Sequence, residues 1–158
     1  MNTKFLLTSV VAVMLTVPAQ AAVTVNFVKP ESYIDVPFDH AERQQTIDEL
    51  NRHFEKLGRK LPAGQDLTID VLDIDLAGTV EFNRRAGRDF RILRGGADWP
   101  MIEVKYSLSA ADKVLKSGAA RVRNLNYTGQ FSRYSLTESL GYEKRMLDEW
   151  FKNELLTP

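Results

Sequence analysis

The 158-residue chain contains no cysteine, which excludes disulfides and thiolate metal sites whatever compartment it occupies. Histidine is nearly absent too. His40 and His53 are thirteen positions apart, more than three helical turns, so they cannot ligate one metal from one helix face, and each reads as an ordinary helix residue. No His-Glu-x-x-His, no Gly-x-Ser-x-Gly and no glycine-rich phosphate loop occurs, which leaves zinc-protease, serine-hydrolase and kinase readings without support. Charge of a prevailing sign is also lacking. With 21 basic and 21 acidic side chains there is no bulk attraction for nucleic acid. No metal site or cofactor is expected.

Long apolar runs are missing except at the start. Lys4, the apolar stretch from Phe5 to Val17, Pro18 and the small residues Ala19-Gln20-Ala21 have the layout of a secretory signal peptide. The stretch is shorter than the roughly 20 helical residues that span a bilayer. Cleavage after Ala21 is therefore expected, leaving residues 22–158 as one domain with no transmembrane anchor and, without cysteine, no residue to carry a lipid. Lys4 is the only charge before Ala22, so removal of the leader takes the formal charge from zero to one negative.

Val23, Val25 and Phe27 alternate with polar residues and read as a strand that ends at Pro30. Asp39, with Glu42 three residues on, marks a helix start, and Ile47, Leu50, Phe54 and Leu57 form its apolar stripe up to Gly58. From Leu67 to Leu76 the apolar parity reverses. Leu67, Ile69 and Val71 share one face, whereas Leu72, Ile74 and Leu76 have the other, which predicts a β-bulge or a change of neighbours between Val71 and Leu72. After an arginine-rich connection, Phe90 to Leu93 reads as a short strand and Gly95-Gly96 as a turn. Ile102, Val104, Tyr106 and Leu108 then alternate cleanly, with a hairpin through Ser109 to Asp112 into a strand at Lys113 to Ser117. Residues 118–133 carry no pattern that assigns them. Ser135 with Glu138 resembles a second capping box, and Leu140, Leu147, Trp150, Phe151 and Leu155 form a second helical stripe, although Gly141 favours a later start. The expected fold is α+β: a single domain with an antiparallel or mixed sheet and two helices packed on one face.

Four stretches resemble an uncharacterised family of bacterial exported proteins, domain of unknown function 3016. They are Leu67 to Gly78, Phe27-Val28-Lys29-Pro30-Glu31, Ala97-Asp98-Trp99-Pro100, and Tyr142-Glu143-Lys144 leading to Trp150-Phe151. The resemblance spans essentially all of the chain after the leader. It implies a bacterial, Gram-negative envelope protein and carries no activity or catalytic residues with it.

Arg84, Arg85, Arg88, Arg91 and Arg94 crowd eleven residues in which Asp89 is the only acid. Guanidinium groups fork onto phosphate or carboxylate, and Gly87 would let a hairpin tip approach a ligand, so this is the candidate contact region for an anionic envelope component or an envelope protein. The competing reading pairs these arginines internally with Asp70, Asp73, Asp75 or Asp98. Asp73 and Asp75 share one side of an extended strand about 7 Å apart, a spacing open to acid/base chemistry or a hard cation, and equally to a solvated face. Asp98 and Trp99 form a turn motif, since Pro100 holds Trp99 extended and the aspartate can accept backbone hydrogen bonds; Trp99 could also serve as a platform for a sugar or peptide. Tyr127, Phe131 and Tyr134 could line the same surface or cover the core. Two functions follow: a non-enzymatic periplasmic binding domain using the arginines, or a hydrolase of an envelope polymer using Asp73, Asp75 or Asp98.

Overall fold

A computed structural model describes residues 21–85, 87–129, 134 and 138–157, without the side chains of residues 82, 83, 88 and 89. Residues 1–20 of the expected leader, Phe131, Ser135 of the expected second capping box and the Arg88 side chain lie outside the described residues.

The chain opens with β1 (Ala22–Phe27), crosses through α1 (His40–Gly58) and returns as β2 (Gln65–Asp75) parallel to β1, with Val23 opposite Leu67 and Phe27 opposite Val71. Asp39 starts α1 as expected, its Oδ1 accepting from the N–H groups of Ala41 (2.9 Å) and Glu42 (3.1 Å). The predicted stripe of Ile47, Leu50, Phe54 and Leu57 is buried. Gly58 does more than end the helix: a Cβ there would lie 1.9 Å from Cγ2 of Val23, so only glycine lets the helix end settle against β1.

In β2 the register against β5 (Met101–Ala110) shifts between Val71 and Asp73, the place where the apolar parity reverses. Leu67, Ile69 and Val71 are buried before the bulge and Ile74 after it, so the extra residue keeps both halves packed on one core. Tyr33 reinforces this point, its hydroxyl donating to the Val71 carbonyl at 2.9 Å; burial, helped by nearby carboxylates, pushes its phenol up to about 12.

β5 pairs antiparallel with β6 (Lys113–Arg123) to complete a mixed four-stranded sheet in the order β1-β2-β5-β6. The connecting residues Ala111 and Asp112 both have positive φ (47° and 62°), the backbone hand of a tight hairpin. β6 runs on to Arg123, six residues beyond the expected end, so 118–123 of the unassigned segment is strand. The reason is exposure. Of its eleven residues only Val122 is buried, and an edge strand with wet faces need not alternate.

Between β2 and β5 the chain forms a separate two-stranded ribbon, β3 (Thr79–Asn83) and β4 (Arg88–Ile92). The sequence suggested only its second strand. The second helix, α2 (Gly141–Phe151), starts after Leu140, whose φ of 56° breaks the backbone, and it runs into a π-helical turn at Lys152–Leu156. Leu50, Phe54 and Leu57 of α1, Met146, Leu147 and Phe151 of α2, and the inward residues of β2 and β5 join in one core, which Val23, Val25 and Phe27 flank. The domain is thus α+β with a mixed sheet and two helices. No described helix is long and apolar enough to cross a membrane.

Candidate functional site

The arginine-rich segment folds as the ribbon, with residues 84, 85 and 87 at its tip. Arg84 and Arg85 are exposed there. The ribbon's base is pinned differently. Arg91 donates from Nη1 to the Ala77 carbonyl at 2.8 Å and lies 3.6 Å from Asp35 Oδ2, while Arg94 Nη2 meets Glu81 Oε1 at 2.6 Å. The ion pairs of Arg91 and Arg94 are thus with Asp35 and Glu81 rather than with the expected Asp70, Asp73, Asp75 or Asp98, although the charge of Arg91 does act on Asp75. Gly78, where the ribbon leaves the body, has φ +81°, and a Cβ there would fall 2.4 Å from the Ile92 carbonyl oxygen. Val80 and Phe90 add apolar surface to the ribbon, 48% and 36% exposed.

The nominated aspartates do not converge. Asp70 Oδ1 accepts from Asn26 Nδ2 at 2.8 Å, joining β2 to β1. Asp73 Oδ1 accepts from the N–H groups of Ile34 and Ile74, both at 2.9 Å, so it fastens the 33–38 segment over the bulge. Asp75 pairs through a backbone bridge with Asp35. Burial and the neighbouring charges of Asp35 and Asp73 raise its pKa, and Arg91 opposes them. Among the described residues no group of three or more histidine, aspartate or glutamate side chains is placed to hold a metal ion.

Asp98 takes the turn role. Oδ2 accepts from the Arg94 N–H at 2.7 Å and Oδ1 from the Gly96 N–H at 2.9 Å, while its carbonyl accepts from the Gly78 N–H at 2.9 Å. One residue thereby ties the ribbon's exit to its entry. The Arg94 N–H lowers its pKa, against the effect of burial, and hydrogen bonds from Tyr127 and Gly96 add to the lowering. Trp99 is half-buried. Tyr127 is fully buried, edge-on to Tyr142 at 5.1 Å, and Tyr134 is buried as well, so both cover the core instead of lining a surface with Trp99.

The residues that sequence reasoning missed surround the start of α2. A cleft of about 360 Å³ is lined by Thr46, Arg91, Ser139, Tyr142 and Glu143. Glu143 is only 2% exposed, and its Oε1 accepts from the Ala77 N–H at 2.8 Å. Burial raises its pKa, aided by Asp35 and opposed by the Ala77 and Glu143 N–H groups and by Arg91. Next to it, Lys144 Nζ meets Glu49 Oε1 at 2.6 Å and Glu138 Oε1 at 2.9 Å; burial works against its charge, but these two carboxylates prevail and raise its pKa. His53 is buried rather than merely flanking the helix stripe, with Nε2 at 3.1 Å from the Lys144 carbonyl. The family-like stretch Tyr142-Glu143-Lys144 marks two members of this set in the sequence, but their partners come from segments far apart and have no motif spacing. The contacts of Glu143 with Ala77 and of Lys144 with Glu49 join α2 to distant parts of the fold.

Residues 21–153 match the model of the family described as protein of unknown function (DUF3016). The chain belongs to this family. No curated protein matches the DUF3016 chain significantly. Among solved structures it has a distant likeness to the crystal structure of protein XCC0632 from Xanthomonas campestris, itself matched to the family DUF330. That likeness is 15% identity over 92% of this chain and 88% of the other, with a TM-score of 0.35. The DUF3016 match begins where the leader pattern ends.

Proposed function

We propose that this is an exported, non-enzymatic binding domain of the bacterial periplasm, cleaved after Ala21, whose ribbon contacts phosphate groups on anionic lipid surfaces of the envelope. In this reading the two helices cover the sheet face bearing Ile69 and Val104, and the ribbon stands clear of that body. The observation that carries it is the exposure of Arg84 and Arg85 at the tip of the ribbon. Arg91 holds the base of the ribbon to the fold and Arg94 pairs with Glu81 of the ribbon itself, and Arg84 and Arg85 are exposed at its tip. Guanidinium groups bind phosphate through forked donors. Start of the family match at residue 21 supports the leader. The hydrolase alternative has no such support, because Asp73 Oδ1 and both carboxylate oxygens of Asp98 accept from backbone N–H groups and none of Asp73, Asp75 and Asp98 lines the cleft.

The test is cosedimentation of the leaderless protein with phosphatidylglycerol vesicles and, separately, with lipopolysaccharide. Retention is expected at low salt and should fall as salt rises. R84Q/R85Q should lose it while its circular dichroism and unfolding midpoint stay unchanged, and the two arms tell which phosphate source is preferred. No retention on either surface, or full retention by the double variant, overturns the reading.

A further inference from the structure

The outer edge of β6 presents a different surface. This strand is eleven residues long and pairs only with β5, so no described strand satisfies its other row of N–H and C=O groups. Residues 113–119 are all exposed. Proteins blunt such edges with proline, bulges, short length or charge. β6 has no proline, and its one irregularity lies near the turn, between Leu108 and Ser109. Lys116 to Arg123 therefore continue in unbroken register with Leu108 to Met101. The central run Ser117-Gly118-Ala119-Ala120 has only small side chains, which leaves the backbone approachable. Beyond that irregularity, charge is the device present. Lys113, Lys116, Arg121 and Arg123 give the strand four cations and no acid.

These charges discriminate between occupants. Lys116 is met by Glu154 (3.0 Å) and Arg121 by Glu103 (3.0 Å), whereas Lys113 and Arg123, at opposite ends of the strand, have no ion pair among the described residues. A second copy pairing antiparallel edge to edge would bring Lys113 against Arg123 at both ends, and like charges directly opposed are destabilising. An acidic strand meets the reverse situation. We propose that the β6 edge is a docking site for an extended, acid-rich segment of a partner protein, which adds to the sheet beside β6. Main-chain hydrogen bonds supply the common part of the affinity, and carboxylates placed roughly 33 Å apart, opposite Lys113 and Arg123, supply orientation. Exposed Val114 (56%) and Leu115 (50%) offer apolar contact at the turn end. The proposal is independent of the ribbon.

The probe is a synthetic peptide of alternating glutamate and valine long enough to span β6, with a lysine-valine peptide as its counterpart, added to the full leaderless protein. Hydrogen exchange followed residue by residue should show the glutamate peptide slowing β6 amides, with no such effect from the lysine peptide. K113E/R123E should weaken the glutamate peptide by at least about tenfold and confer binding of the lysine peptide. R84Q/R85Q should leave both results unchanged, which separates this surface from the ribbon. The proposal fails if neither peptide binds, if protection appears elsewhere, if charge reversal has no effect, or if β6 amides become protected with rising protein concentration alone, which would make a second copy the occupant.

Discussion

Glu143 shows how strongly one side chain's setting can be decided by the fold around it. Its carboxyl is buried at the start of α2, where the Ala77 N–H holds one oxygen and Asp35 stands nearby. Burial raises its pKa, so the folded state binds this proton more tightly than the unfolded chain does. The associated stability is present below the ordinary glutamate pKa and is lost as pH rises through the raised value. Asp75 acts in the same direction, while Asp98 and Glu154, both lowered, contribute stability above the ordinary carboxylate range that disappears on acidification. Glu143→Gln keeps an acceptor for Ala77 and removes the titration. Urea unfolding midpoints should then fall less between mildly acidic and neutral pH than in the parent, with little difference at the acid end. An unchanged pH profile would mean that Glu143 does not carry this dependence.

At the scale of elements, α1 packs on the sheet through one buried face. Phe54 is fully buried among sheet and helix residues, so Phe54→Ala should cost about 3–5 kcal/mol, read as a lower denaturation midpoint at unchanged slope. What made α1 legible in the sequence also made the β2 bulge and β5 legible: each has one face in the core, and burial of one face writes a period into the residues. The Val71/Leu72 parity switch located the bulge for the same reason. Elements without a buried face left no such trace. β3 was missed because Val80 is half exposed and its neighbours are polar, and the far half of β6 because small exposed residues satisfy no alternation. The parallel pairing of β1 was open in the sequence, since six alternating residues say nothing about which neighbour they join. Among the candidate site residues, the arginine cluster was visible as composition, but its division into base and tip rests on Asp35 and Glu81, contacts between segments that spacing cannot reveal.

For the whole molecule, the division at residue 21 separates two sequences of different character. An apolar stretch precedes it, and the family match begins there. Intact-mass measurement of protein recovered from the periplasm of expressing cells should give a species beginning at Ala22. Recovery of a chain that retains Met1 to Ala21, or only from the cytoplasm, would defeat the export reading. Inside the domain the strands differ in how far each must reach for its partner. The β3–β4 and β5–β6 pairs close across tight turns, whereas Ala22 of β1 lies opposite Asp66 of β2, with all of α1 strung between them. Bringing distant segments together costs chain entropy before any contact repays it, so such pairings limit the rate of folding. The strand made first is thus among the last to find its place, and a chain crossing a membrane from its N-terminus would spend that interval with β1 unpaired, still able to pass through as an extended thread.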